Sequence, residues 1–122
     1  MLQKNFNEYL ICNASSPLIS DGLLREELLL YNISTEKWKE LTQEFGDITG
    51  KHLGPEDEIG TLSGGQKVLL MCLLALYSPA KKILFIDLWR SLDERNRQKI
   101  EDLLEVYSRE KEIRQEEIGD QT

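Results

Sequence analysis

Apolar positions recur along this chain with two periods, and the period separates helices from strands. The opening run Phe6-Asn7-Glu8-Tyr9-Leu10-Ile11-Cys12 has the aromatic and β-branched content of a short strand, closed by polar turn residues from Asn13 to Pro17. Behind Asp21, a residue suited to cap a helix, Leu24, Leu28 and Tyr31 return at helical spacing. A second amphipathic helix follows, with Ser34 or Thr35 at its start and Trp38, Leu41 and Phe45 on one face. The period then lapses over residues 46–60, which are rich in Gly, Pro and acidic side chains and read as an exposed connection.

The second half is more apolar. Residues 68–77 form the longest apolar run, about half of the ~20 residues that cross a hydrocarbon core, so they predict a buried element and no membrane span. Lys81-Lys82-Ile83-Leu84-Phe85-Ile86-Asp87 is a compact apolar run ending in a carboxylate, the pattern of a strand buried on both faces in a parallel sheet. Such sheets place ligands at the carboxyl ends of their strands, where Asp87 would sit. Ser91 and Glu94 can form a capping box for a helix whose stripe is Ile100, Leu103, Leu104 and Tyr107. Beyond Arg109 charge dominates, and the stripe thins to Ile113 and Ile118, which predicts a solvated or frayed helix.

Composition narrows the function classes. The 122 residues suit one domain with a modest core, and the net charge of -7 argues against a surface that neutralises the phosphates of a nucleic acid. Cys12 and Cys72 lie far apart in apolar surroundings, and with no secretory leader they read as reduced core thiols of a cytoplasmic protein. The two Asn-x-Ser sequons, at Asn13 and Asn32, lack the secretory context that would give them meaning. His52 is the single histidine and has no cysteine cluster near it, so a zinc site has nothing to build on.

Candidate chemistry centres on Leu62-Ser63-Gly64-Gly65-Gln66. Ser63 and Gln66 fit a capping box for the apolar helix that follows, yet the two glycines in its first turn cost about 1 kcal/mol each relative to alanine. That cost is sensible where another group approaches the backbone, and the amides of a helix N-terminus suit a phosphate.

With its surroundings the motif resembles the signature sequence of the ABC-type ATPases. The strand ending at Asp87 is similar to their Walker B strand, and Ser91-Leu92-Asp93 to their D-loop. The segment from Ser16 to Leu28 is similar to the one that follows their Q-loop glutamine. The resemblance implies an α/β fold: an incomplete ABC ATPase-like P-loop domain over residues 1–108, with a helical subdomain and a small parallel two-strand core flanked by helices. Within it, 1–20 would hold the first strand and a degenerate Q-loop region, 21–60 the helical subdomain, and 61–108 the signature helix, Walker B-like strand and D-loop helix; 109–122 would be a charged tail.

Departures from the family pattern bear on activity. No Walker A loop is present. Gly46-Asp47-Ile48-Thr49-Gly50-Lys51-His52 is one residue short between its glycines and ends without a hydroxyl residue, so it reads as a solvated loop. The stretch Asn13-Ala14-Ser15-Ser16 lacks the Q-loop glutamine, and no strand with a switch histidine is expected before Thr122. The family needs two successive acids at the end of its Walker B strand. Here only Asp87 is available, either as the magnesium ligand or in the place of the catalytic glutamate, and it reads equally well as a strand-end carboxylate pairing locally.

The implied role is an accessory or pseudo-ATPase subunit that lends Leu62, Ser63, Gly64, Gly65 and Gln66 to nucleotide held by another subunit, with Ser91, Leu92 and Asp93 at the interface. ATP and Mg2+ would enter only through a composite site with a complete ABC-type ATPase or through self-association, and none would bind to the chain alone. An open sheet edge makes association physically reasonable. The alternatives are an eroded fragment that serves only in oligomerisation, and an autonomous ATPase using residues 46–51 with Asp87.

Overall fold

Among the described residues of this computed structural model, 9–20 and 22–118, the most apolar segment forms the central helix. Helix α3 (Gly64–Tyr77) is buried at every position from Val68 to Leu76, as expected of a helix that is apolar on all sides and has no solvent face. Around it pack α2 (Thr35–Thr49), α4 (Glu94–Tyr107) and strand β1 (Leu10–Asn13). The remaining elements are the short helix α1 (Leu24–Leu30) and strands β2 (Lys82–Ile86) and β3 (Glu112–Glu116), with a single 3-10 turn, Trp89–Ser91, between β2 and α4.

The three strands form one parallel sheet in the order β1-β2-β3. Leu10 pairs with Ile83 and Cys12 with Phe85 on the face turned to the helices, where Cys12, Ile83 and Phe85 are buried. Burial pushes the Cys12 thiol up to about 12, and Cys72 in α3 is buried as well. Both cysteines are thus free core thiols.

Beyond α4, the frayed helix expected from the charge-rich sequence is instead β3. The charges that suggested a solvated helix stand on the exposed positions of an edge strand, and Ile113 alone turns partly inward. Pairing with β2 satisfies the inner edge of the β3 backbone, and both of its ends are tied. Lys111 Nζ donates to the carbonyls of Ser78 at 2.8 Å and Ala80 at 2.5 Å, while the Asp87 N–H donates to the Glu116 carbonyl at 2.8 Å. The core sheet therefore has three strands, one more than the sequence suggested.

Two further boundaries differ. Helix α2 continues to Thr49, with Leu41 and Phe45 buried and Trp38 Nε1 donating to the Ile33 carbonyl at 2.9 Å. Only residues 50–63 are irregular, and they are not fully exposed: Leu53 and Ile59 sink into the core because two isolated apolar side chains need no helical period to be buried. Backbone bonds from Ile59 N–H to the Gly22 carbonyl and from Leu24 N–H to the Asp57 carbonyl fasten this loop to the start of α1. Asp21, the cap expected there, lies outside the described residues, as do Phe6, Asn7 and Glu8 of the opening run.

Candidate functional site

The turn into α3 begins at Leu62, which is buried and bonds through its N–H to the Ile59 carbonyl at 3.2 Å. With the motif rooted there, Ser63 takes an extended backbone and caps the helix. Its Oγ accepts from the Gln66 N–H at 3.2 Å, and Gln66 Oε1 accepts from the Ser63 N–H at 3.0 Å. The capping box read from the sequence is present.

Gly64 is exposed, and a Cβ built on it would meet nothing within 4 Å. No contact among the described residues calls for glycine there, so among them the space over the first turn is open to a group from outside. The N–H groups of Gly64 and Gly65 belong to the first turn, whose donors have no intrahelical acceptor.

Ser63 and Gln66 line a groove of about 440 Å³ together with Thr49, Asp93, Asn96 and Lys99. Asp93 starts α4: its Oδ1 accepts from the Asn96 N–H at 2.9 Å, so the cap is Asp93 and not the expected pair of Ser91 with Glu94. Leu92 is buried before it and fixes the turn. The structure thus gathers Ser63, Gln66 and Asp93 at one groove. Lys99 was not singled out by the sequence. It reaches the groove because its Nζ donates to the Ile48 carbonyl at 2.7 Å, binding α4 to the carboxyl end of α2.

The same carboxyl end disposes of the imitation phosphate loop. Gly50 has φ 77° and donates its N–H to the Gly46 carbonyl at 2.7 Å, an αL helix stop that glycine adopts without strain. Residues 46–49 are helical, so this stretch is not the solvated loop expected. It presents the carbonyl, negative end of a helix dipole, which is the wrong polarity for phosphate.

Asp87 follows β2 directly, is buried, and has φ 56°, a left-handed conformation that Asp tolerates better than most residues. Its Oδ1 accepts from the Ile118 N–H at 2.8 Å, so one part of its role is to hold the end of β3 against β2. It does not line the groove at Ser63. Among the described residues no group of three or more His, Cys, Asp or Glu side chains is arranged to hold a metal ion. A strand does follow the last helix, contrary to the expectation from sequence, but β3 carries no histidine.

At the other side of the core, Glu27 is fully buried and accepts from the Ile19 N–H at 3.1 Å and from the Ser20 N–H. It thereby fixes the segment after Pro17 against α1. Nothing in the apolar period of α1 marked this carboxylate as internal.

No protein-family model matches the sequence, and no curated protein matches it. Solved structures do. A metal-chelate type ABC transporter in an inward-facing conformation matches with a TM-score of 0.61 and 20% identity, covering 89% of this chain and 47% of that one. A dimeric ATP-binding cassette in a post-hydrolysis state, bound to ADP and Pi, matches with a TM-score of 0.63 and 20% identity, covering 92% of this chain and 53% of that one. The chain therefore spans about half the length of the structures it matches. No helix among its described residues is long and apolar enough to cross a membrane. In its three-stranded parallel sheet and four helices, the chain resembles part of an ABC-type ATPase domain and has the fold of that part.

Proposed function

We propose that this chain is an accessory subunit that presents the first turn of α3 to the phosphate of a nucleotide held by a partner ATPase. The observation that carries the reading is the space over Gly64 beside the first-turn amides, which no described residue fills and where glycine answers no need among the described residues. Ser63 Oγ, Gly64 and Gly65 would face the phosphate, while Leu62 and Gln66 hold the turn. Asp93, with Ser91 and Leu92 before it, would meet the partner from the same side, since Asp93 shares the groove with Ser63. One of the structures this fold resembles is a nucleotide-bound dimer, which fits such a role.

The chain's own residues fit a phosphate contact better than a magnesium site. ATP and magnesium would come with the partner, a complete ABC-type ATPase or a second copy, in a cytoplasmic setting. Asp87 is the acid of this chain nearest in kind to a metal ligand, and that use competes with its bond to Ile118. Hydrolysis is accordingly assigned to the partner.

The reciprocal Ser63 and Gln66 bonds favour a second reading, in which the motif survives only as a helix cap in an interaction module. The two readings separate in one experiment. Capture of a complete ABC ATPase by this chain should rise with ATP and magnesium, and Gly65→Asp should abolish that rise and lower the partner's turnover. Unchanged capture and turnover would leave the cap as the motif's only role.

A further inference from the structure

Helices α2 and α4 both pack on α3 and lean on it more than on each other, which leaves a furrow between them. Lys99 crosses that furrow. On one side of it lies the groove of about 440 Å³ that holds Ser63 and Asp93, and on the other a second hollow of about 500 Å³ lined by Glu40, Gln43, Glu44 and Leu103. The half-buried Lys99 borders both. Its bond from Nζ to the Ile48 carbonyl, 2.7 Å long, is the one hydrogen bond that joins α2 to α4 among the described residues.

Ile48 belongs to the last turn of α2, whose carbonyls have no intrahelical donor, and a cation is favoured at that end of a helix. The return in stability is nevertheless small, because the rotamer freedom lost by a held lysine offsets much of a charged hydrogen bond. What the bond secures is a distance. Thr49 and Gly50, at the end of α2, line the groove with Ser63, while Asp93, Asn96 and Lys99 line it from α4 at three-residue steps along one face. Apolar packing on α3 is non-directional and permits α4 to roll, whereas a hydrogen bond is directional and opposes it.

We propose that Lys99 is a positioning residue: by strapping α4 to the end of α2 it holds Asp93 and the first turn of α3 at the spacing at which both meet one partner. This rests on the phosphate role proposed above and adds the residue that sets its geometry. Two points that engage one rigid partner must each be held within about 0.5 Å, and a side chain outside the contact then governs it.

Two readouts on the full chain test the strap. Spin labels at Lys39→Cys on α2 and Glu101→Cys on α4, both exposed positions, report the helix spacing by pulsed electron resonance, and the native Cys12 and Cys72 are buried away from the label. The distance distribution should be narrow with Lys99, broader in Lys99→Met, and narrow again in Lys99→Arg, whose guanidinium can also donate to the carbonyl. In the capture experiment with a complete ABC ATPase, ATP and magnesium, Lys99→Met should cut the nucleotide-dependent rise about ten-fold and Lys99→Arg should restore it. Circular dichroism checks folding, and Lys99→Gln replaces Lys99→Met should the latter not fold.

A lysine that served stability alone would lower the melting temperature in Lys99→Met and leave the rise intact. That result, or a distribution that Lys99→Met does not broaden, would overturn this proposal and leave the phosphate role standing. Failure of the phosphate role looks different: the unaltered chain would show no rise at all, while the helix spacing still answered to Lys99, and both proposals would fall together.

Discussion

Replacing Phe85 with alanine is expected to destabilise the protein by about 3–5 kcal/mol, the range for truncating a buried phenylalanine. Phe85 is fully buried at the middle of the sheet, on the face turned to the helices, beside the equally buried Cys12 of β1. Its loss leaves a cavity that the backbone of the central strand, bonded on both edges, cannot close. Typical domain stability is about 5–15 kcal/mol, so a large part would go. Urea denaturation followed by circular dichroism measures it, with Ile11→Ala as the comparison. Ile11 lies on the open face and is 61% exposed, so its truncation should cost less than about 1 kcal/mol. Equal costs on the two faces would mean that the sheet is not covered on one side alone.

A second substitution separates the two uses of Ser63. Aspartate is as good a helix cap as serine, and its charge is favoured by the helix dipole, so Ser63→Asp should keep or raise the melting temperature. Ser63→Ala, which removes the acceptor of the Gln66 N–H, should cost about 1 kcal/mol. At a phosphate the order reverses. A carboxylate about 4 Å from one negative charge raises the energy by about 4 kcal/mol at an effective dielectric of about 20. Ser63→Asp should therefore reduce nucleotide-dependent association with the partner by a factor of about a hundred or more, and Ser63→Ala far less. If association instead tracks the melting temperature through both variants, the motif is a cap and nothing more.

How much of this was legible in the sequence depended on the strength of the local signal. The run from Val68 to Leu76 was too apolar to lie anywhere but inside, and β2 was legible as a strand, but not buried on both faces as its continuous apolar run suggested: Ile83 and Phe85 are buried while Leu84 and Ile86 on the other face are half-buried. The Ser63 and Gln66 box was also readable, because its two bonds are local. Strand β3 was not. Glu112, Arg114 and Glu116 carry no strand signal of their own, and only the free edge of β2 makes them one. Gly46 and Gly50 misled for a related reason: glycine marked the stop of α2, but its left-handed φ is visible only in the folded chain.

Part of the site depended on long-range contacts. Lys99 enters the groove through a carbonyl 51 residues away, and Glu27 is held inside by amides of a loop that precedes its helix. Neither has a local pattern. Asp87 was marked as a strand-end acid, and the bond to Ile118 that gives it a structural part arises from β3, which the sequence did not announce.

In the proposed function the first turn of α3 meets a phosphate while the nucleotide itself is held by a partner. Titration calorimetry of the isolated chain with ATP and magnesium tests it most directly. No saturable heat is expected up to a ligand concentration of about 1 mM, so any binding by the isolated chain must be weaker than a Kd of about 1 mM, or about −4 kcal/mol. Stoichiometric binding at micromolar ATP, by a chain shown to be monomeric in the same buffer, would contradict it.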